Sequence, residues 1–294
     1  ATMLGYAGYR YSLAYARERP QGRPVGPGGK DPTQPQVPII QHADIRRMLL
    51  AQKAYTEGAL ALNLYCARLV DEHAHAPGES ARAEASLLLE MLTPISKSWP
   101  SEWCLEANNL AIQVLGGYGY TRDFPVEQYW RDNRLNMIHE GTHGIQALDL
   151  LGRKVVMRDG AGLKLVGRRI AATIQAAMHA AHPDARRFAA QLQAATQQVE
   201  RVTRALWAKG DADAALAHAT PYMQAFGHLA LAWVWLELSV AAARLDQPQD
   251  ETFVQGIRAA CRYFFAYEVA RIPAWLAPAE SGDRTVQDLK ESWL

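Results

Sequence analysis

Apolar residues three and four apart run through most of the chain, and strict alternation of apolar and polar positions occurs nowhere. That period predicts helices and no sheet. The first helix covers Met3–Arg19, with Leu4, Tyr6, Ala7, Leu13 and Ala14 among its apolar positions and no capping residue at its start. Pro20 ends it, and the Pro- and Gly-rich stretch Pro20–Pro38 predicts an irregular loop. One long helical pattern then runs from Pro38 to His75. Gly78–Trp99 predicts a third helix, and Pro100–Leu115 a fourth that starts near Ser101 and is ended by Gly116 and Gly117. A short helix begins near Pro125 within Asp123–Asn133. Another runs over Thr142–Met157 with Thr142 as its N-cap. The expected fold is all-α: an antiparallel helical bundle over residues 1–158, followed by a second helical domain.

The break at Asp159–Gly162, with two glycines, marks that boundary. In residues 163–294 the segments Leu165–Ala181, Asp184–Lys209, Ala212–Leu245 and Glu251–Arg271 keep the helical period. His179, His182, His218 and His228 are scattered at helical spacing there and read as structural. The tail from Ala274 is expected to dock by Trp275 and Trp293. The most apolar stretch, Leu229–Ala243, contains Glu237, is too short to cross a bilayer and reads as a buried helix.

With 294 residues the chain can bury a sizeable core and has room for two domains. A formal net charge of +1 without a basic block argues against nucleic acid or an acidic membrane as partner. Cys66, Cys104 and Cys261 lie far apart with no C-x-x-C spacing. They read as reduced core thiols, and with no secretory leader visible the expected compartment is the cytoplasm.

The chemistry-bearing residues concentrate between Gln113 and Lys154, around Ile138-His139-Glu140-Gly141-Thr142-His143. His139 to His143 spells H-E-x-x-H, which in a zinc hydrolase puts two imidazoles on one helical face with a Glu between them to activate water. That reading needs a continuous helix. Gly141 and Gly144 each disfavour a helix interior by about 1 kcal/mol against Ala. A helix starting at Thr142 leaves His139 outside it, so no metal is expected. Taken singly, the glycines read as a helix stop and a tight turn, and Glu140 as a solvated carboxylate before a helix.

The ordered set is not explained by capping. Gln113, Gly116, Gly117, Gly119 and Tyr120 are followed by Pro125-Val126-Glu127, Arg131-Asp132 and Glu140-Gly141-Thr142. In order and spacing this resembles the C-terminal domain of the FAD-dependent acyl-CoA dehydrogenases. With GIQALDLLGRK and a further helical domain following, it resembles most their long subfamily, which includes the 3-methylmercaptopropionyl-CoA dehydrogenases. That family begins with a helical and a small β-domain, which do not precede this segment. The resemblance therefore implies a C-terminal half.

The resemblance also implies an activity: α,β-dehydrogenation of an acyl-CoA thioester with FAD as hydride acceptor. Glu140 matches the base, its backbone N–H helping to hold the thioester carbonyl. Gln113, Gly116, Gly117 and Thr142 match cofactor contacts, as does Arg19 in the partly matching segment Glu18-Arg19-Pro20-Gln21-Gly22. His139 and Gly141 fall at the substrate. His139 stands where the family usually has Tyr, and His143 where it often has Ser or Asn. Implied partners are an acyl-CoA, an electron-transfer flavoprotein, and a homodimer or homotetramer. The rival to this enzyme is a non-catalytic helical assembly module of the same fold.

Overall fold

The computed structural model describes residues 1–26, 29–139, 141–180, 183–245 and 247–294. Among them the strands are Val25–Gly26 (β1) and Gly29–Lys30 (β2), a short antiparallel pair inside the Pro- and Gly-rich loop. Everything else regular is helical, as the period predicts. Contacts divide the chain into two compact units, residues 1–60 with 100–139 and residues 61–99 with 140–294. Two long helices, α2 (Ala43–His75) and α3 (Glu79–Leu115), contribute residues to both.

In the first unit, α1 (Thr2–Glu18) buries Gly5, Gly8, Tyr9, Ser12 and Ala16 along one face. A Cβ at Gly5 would stand 2.7 Å from the Cys104 Cβ, so the two backbones approach closely there. Ala16, Ile39, Met48, Leu49, Ala111, Val114, Leu115 and Val126 form the core. The short α4 (Val126–Arg134) is anchored by buried amides. Asn133 Nδ2 donates to Asn108 Oδ1 at 2.7 Å, and Asn108 Nδ2 donates to the Leu4 carbonyl at 2.9 Å.

The third and fourth predicted helices are one. α3 runs through both Pro94 and Pro100, and Ser101 is a buried mid-helix residue instead of a start. A proline inside a helix costs about 3 kcal/mol. Met91, Leu92, Ile95, Trp99, Trp103 and Cys104 are all buried on this helix. Each large apolar side chain contributes about 1.5–3 kcal/mol on burial, which outweighs two prolines.

In the second unit, α5 (His143–Asp149) continues into a π-helical turn, Leu150–Lys154. α6 (Met157–Met178) opens with Arg158, Asp159 and Gly160 at φ 50°, 54° and 74°. This left-handed turn lies at the break read from the glycines. α7 (Pro183–Trp207) and α8 (Ala212–Leu216) lead to α9 (Ala219–Ala242), so the predicted Ala212–Leu245 helix is interrupted before Ala219. α10 (Glu251–Tyr263) passes into a second π-helical turn, Phe264–Glu268, and α11 (Ile272–Ser281) follows. α9 packs against α5, α6, α7, α10 and α11 and is buried nearly all round, which is why its sequence lacks a polar face. Among the described residues it is the helix long and apolar enough to cross a membrane, and 78% of its apolar window is buried inside the protein. Trp275 packs on the His228 ring at 4.5 Å. Trp293 is 65% exposed and does not dock.

All three cysteines are free and buried. Burial pushes Cys66 up to about 11 and Cys104 and Cys261 up to about 12, so the thiols are inert.

His228 sits fully buried at the centre of the second unit. Trp99 Nε1 donates to its Nδ1 at 3.1 Å, and its Nε2 faces Glu268 Oε2 at 3.4 Å. Arg271 Nε reaches the same carboxylate oxygen at 3.1 Å. Desolvation holds the imidazole below its ordinary value, against the pull of Glu268. The unfolded chain therefore binds this proton more readily than the folded one. The stabilising contribution is complete above the unfolded pKa of about 6.5 and is lost as the pH falls below it. Thermal unfolding followed between about pH 5 and 8 is expected to show an acid-side loss that His228→Gln flattens. Parallel curves for the two proteins would rule this out.

Candidate functional site

Arg19 follows the last turn of α1 with extended backbone, φ −75° and ψ 110°. Its guanidinium lies 5.2 Å from the centre of the Tyr118 ring, and Tyr118 stacks on Phe124 at 5.5 Å. The Arg19 Nε is buried with no hydrogen-bond partner among the described residues. A buried donor left unmade costs about 1–3 kcal/mol, so an acceptor from outside this chain would be favoured.

Tyr118 follows the glycine turn directly. Gln113 is exposed on the last turn of α3, and Gly116 ends that helix at φ +64°, a conformation suited to glycine. At Gly119 a Cβ would stand 2.6 Å from the Ile112 carbonyl oxygen, so close packing demands glycine there. Gly117 has neither reason. Its φ is ordinary, and an added Cβ would meet nothing within 4 Å. The chain's own packing does not explain this glycine, whereas the approach of another molecule to its backbone would. His139 is exposed beyond the 3₁₀ turn Leu135–Met137, its N–H bonded to the Leu135 carbonyl at 3.0 Å.

In the second unit, Glu140 lies outside the described residues. Gly141 takes φ +103°, and a Cβ on it would stand 3.0 Å from the Gln146 Nε2. Thr142 is the N-cap of α5, as its residue type predicts, its Oγ1 accepting from the Ile145 N–H at 3.5 Å. His143 is the first helical residue. H-E-x-x-H therefore does not fall on one continuous helix, and the i, i+4 presentation that a zinc hydrolase uses is not made.

Two contacts tie this segment to α3, and no local pattern signalled them. Ser98 Oγ and His143 Nδ1 are 2.6 Å apart. Lys154 Nζ, itself nearly buried, lies 3.4 Å from Glu90 Oε2. The pairings 98 with 143 and 90 with 154 run α5 antiparallel to α3. The partners are distant in sequence, and a serine in mid-helix carries no motif.

The family model described as "Acyl-CoA dehydrogenase, C-terminal domain" matches residues 30–155. A second, described as "Acetyl-CoA dehydrogenase C-terminal like", matches residues 166–290. The chain belongs to the acyl-CoA dehydrogenase family. It is 38% identical over 264 residues to the 3-methylmercaptopropionyl-CoA dehydrogenase of Ruegeria pomeroyi, an alignment covering 89% of this chain and 44% of that protein. It is 28% identical over 302 residues to a broad-specificity linear acyl-CoA dehydrogenase of Mycobacterium tuberculosis, covering 97% and 48%. The chain thus spans about half the length of the curated relatives it matches.

Among solved structures, the fold is similar to an acyl-CoA dehydrogenase of Bacillus anthracis complexed with FAD. The TM-score is 0.70 at 17% identity, covering 98% of this chain and 50% of that one. It is also similar to ACDH-11 of Caenorhabditis elegans in complex with C11-CoA, with TM-score 0.61 at 18% identity, covering 97% and 44%. At these identities the likeness is one of acyl-CoA dehydrogenase fold.

Proposed function

We propose that this chain is the C-terminal helical part of an FAD-dependent acyl-CoA dehydrogenase that introduces an α,β double bond into an acyl-CoA thioester. The two matched segments support a division into residues 1–158 and 163–294. The observation that carries the cofactor reading is the Arg19–Gly117 surface, with its orphaned buried donor and a glycine that internal packing does not require. These residues fit a phosphate-bearing, planar cofactor: Arg19 offers a charged donor, Gln113 an exposed amide, and Gly116 and Gly117 an open backbone. Thr142 would contact FAD near the base.

FAD, when bound, supplies the acceptor for the β-hydride. Glu140 takes the α-proton on its carboxylate, and the C–H electron pair becomes the new π bond as hydride leaves the β-carbon. The Glu140 backbone N–H stabilises negative charge on the thioester oxygen. His139 and Gly141 border the substrate. An electron-transfer flavoprotein would be the electron acceptor. The protein acts in the cytoplasm as a homodimer or homotetramer, without nucleic acid or membrane.

The test of the cofactor surface is FAD titration followed by fluorescence quenching. Arg19→Ala and Gly117→Val are each expected to weaken FAD by about tenfold or more, the worth of a charge-assisted hydrogen bond. The helical signal should stay unchanged, since Arg19 lies outside the core cluster and an added Cβ at position 117 meets nothing within 4 Å. Wild-type FAD affinity in both variants would remove this surface from the cofactor site.

A further inference from the structure

α3 presents two neighbouring residues to two different partners. Ser98, buried, meets His143 at the start of α5, just beyond Glu140-Gly141-Thr142. Trp99, also buried, meets His228 of α9 through its Nε1. Behind His228 stand Glu268, in the second π-helical turn, and Arg271. The seat is tight: a Cβ at Gly227 would stand 2.7 Å from Trp99 Cδ1, so α9 rests its backbone on the indole. α9 packs against α5 as well. The C-terminal helices thus grip both α5 and the stretch of α3 that holds α5's first residue.

Three successive restraints fix the backbone after residue 140. Gly141 is under the Gln146 side chain at φ +103°, Thr142 caps the helix, and His143 is tied to Ser98. We propose that Ser98 and His143 are positioning residues for Glu140, and that the C-terminal helical segment serves the reaction by bracing this latch through Trp99 and His228. The proposal rests on the reading of Glu140 as the base. A base within hydrogen-bond reach of its proton loses rate when its backbone is let loose, without loss of substrate affinity.

The experiment compares two replacements of His143. His143→Asn keeps a polar atom close to where Nδ1 stands and discards the ring. His143→Phe keeps the ring's bulk and discards the hydrogen-bonding nitrogen. In the FAD-loaded protein, Asn is expected to hold kcat within about threefold, and Phe to lower it by about tenfold or more, one hydrogen bond's worth, with KM little changed in either. Amide hydrogen exchange at residues 143–146, read without substrate, should speed by about tenfold in the Phe variant and stay near wild type in the Asn variant. A role in packing alone predicts the reverse order, and that order, or equal behaviour of the two, overturns the proposal. If the Phe variant does not fold, Ser98→Ala removes the same bond from the other side and is expected to reproduce the kcat loss and the faster exchange. Wild-type values for Ser98→Ala would overturn the latch. Flavin reduction that survives Glu140→Gln would defeat the base assignment separately, and the exchange pattern alone then decides whether the latch exists.

Discussion

Glu140→Gln is expected to leave the fold and the bound flavin intact and to slow flavin reduction by acyl-CoA about 10²–10⁴-fold, the range for loss of a general base. Gln is nearly isosteric with Glu, so packing around it changes little. Its amide accepts no proton at neutral pH, so the loss falls on the reductive half-reaction and not on substrate binding. His139→Ala is the companion variant. His139 is exposed outside α5, so its removal is expected to alter substrate preference at most. An H-E-x-x-H metal site predicts instead that His139→Ala abolishes activity together with bound metal.

Trp99→Ala is expected to lower stability by about 3–5 kcal/mol, the range for truncating a buried aromatic. The indole is 2% exposed, lies 5.7 Å from the His228 ring and 6.2 Å from Phe264, and fills the space left by Gly227. Truncation opens a cavity in this cluster and removes the donor to His228 Nδ1. Trp293→Ala provides the contrast. That ring is 65% exposed and faces Lys290, so its loss should stay within about 0.5 kcal/mol. Denaturant midpoints of the two variants measure the difference. Equal midpoints would mean that the aromatic cluster around His228 does not carry the second unit.

Helices were legible because a 3.6-residue period is a local signal, and so was the start of α5, since Thr142 caps by its own side chain. The split at Pro100 failed for the opposite reason. Proline's cost is local, while the burial of Trp99, Trp103 and their neighbours that outweighs it is tertiary. The glycines of the 116–119 turn read as one motif, yet the structure gives them separate reasons: φ at Gly116, close packing at Gly119, and no internal need at Gly117. His228 is buried against Trp99 and Glu268, partners that lie on other helices and leave no spacing to find. Trp275 and Trp293 looked alike as docking residues, yet Trp275 packs on the His228 ring while Trp293 is 65% exposed. Glu140 stands on its motif and on the capped helix after it.

The most direct measurement is anaerobic stopped-flow mixing of the FAD-loaded protein with acyl-CoA thioesters of increasing chain length, following the flavin absorbance in wild type and Glu140→Gln. The proposed function predicts rapid bleaching of the wild-type flavin by at least one thioester and bleaching slowed by about 10² or more in the variant. A wild-type flavin that no thioester bleaches, or a variant that bleaches as fast as wild type, would contradict it.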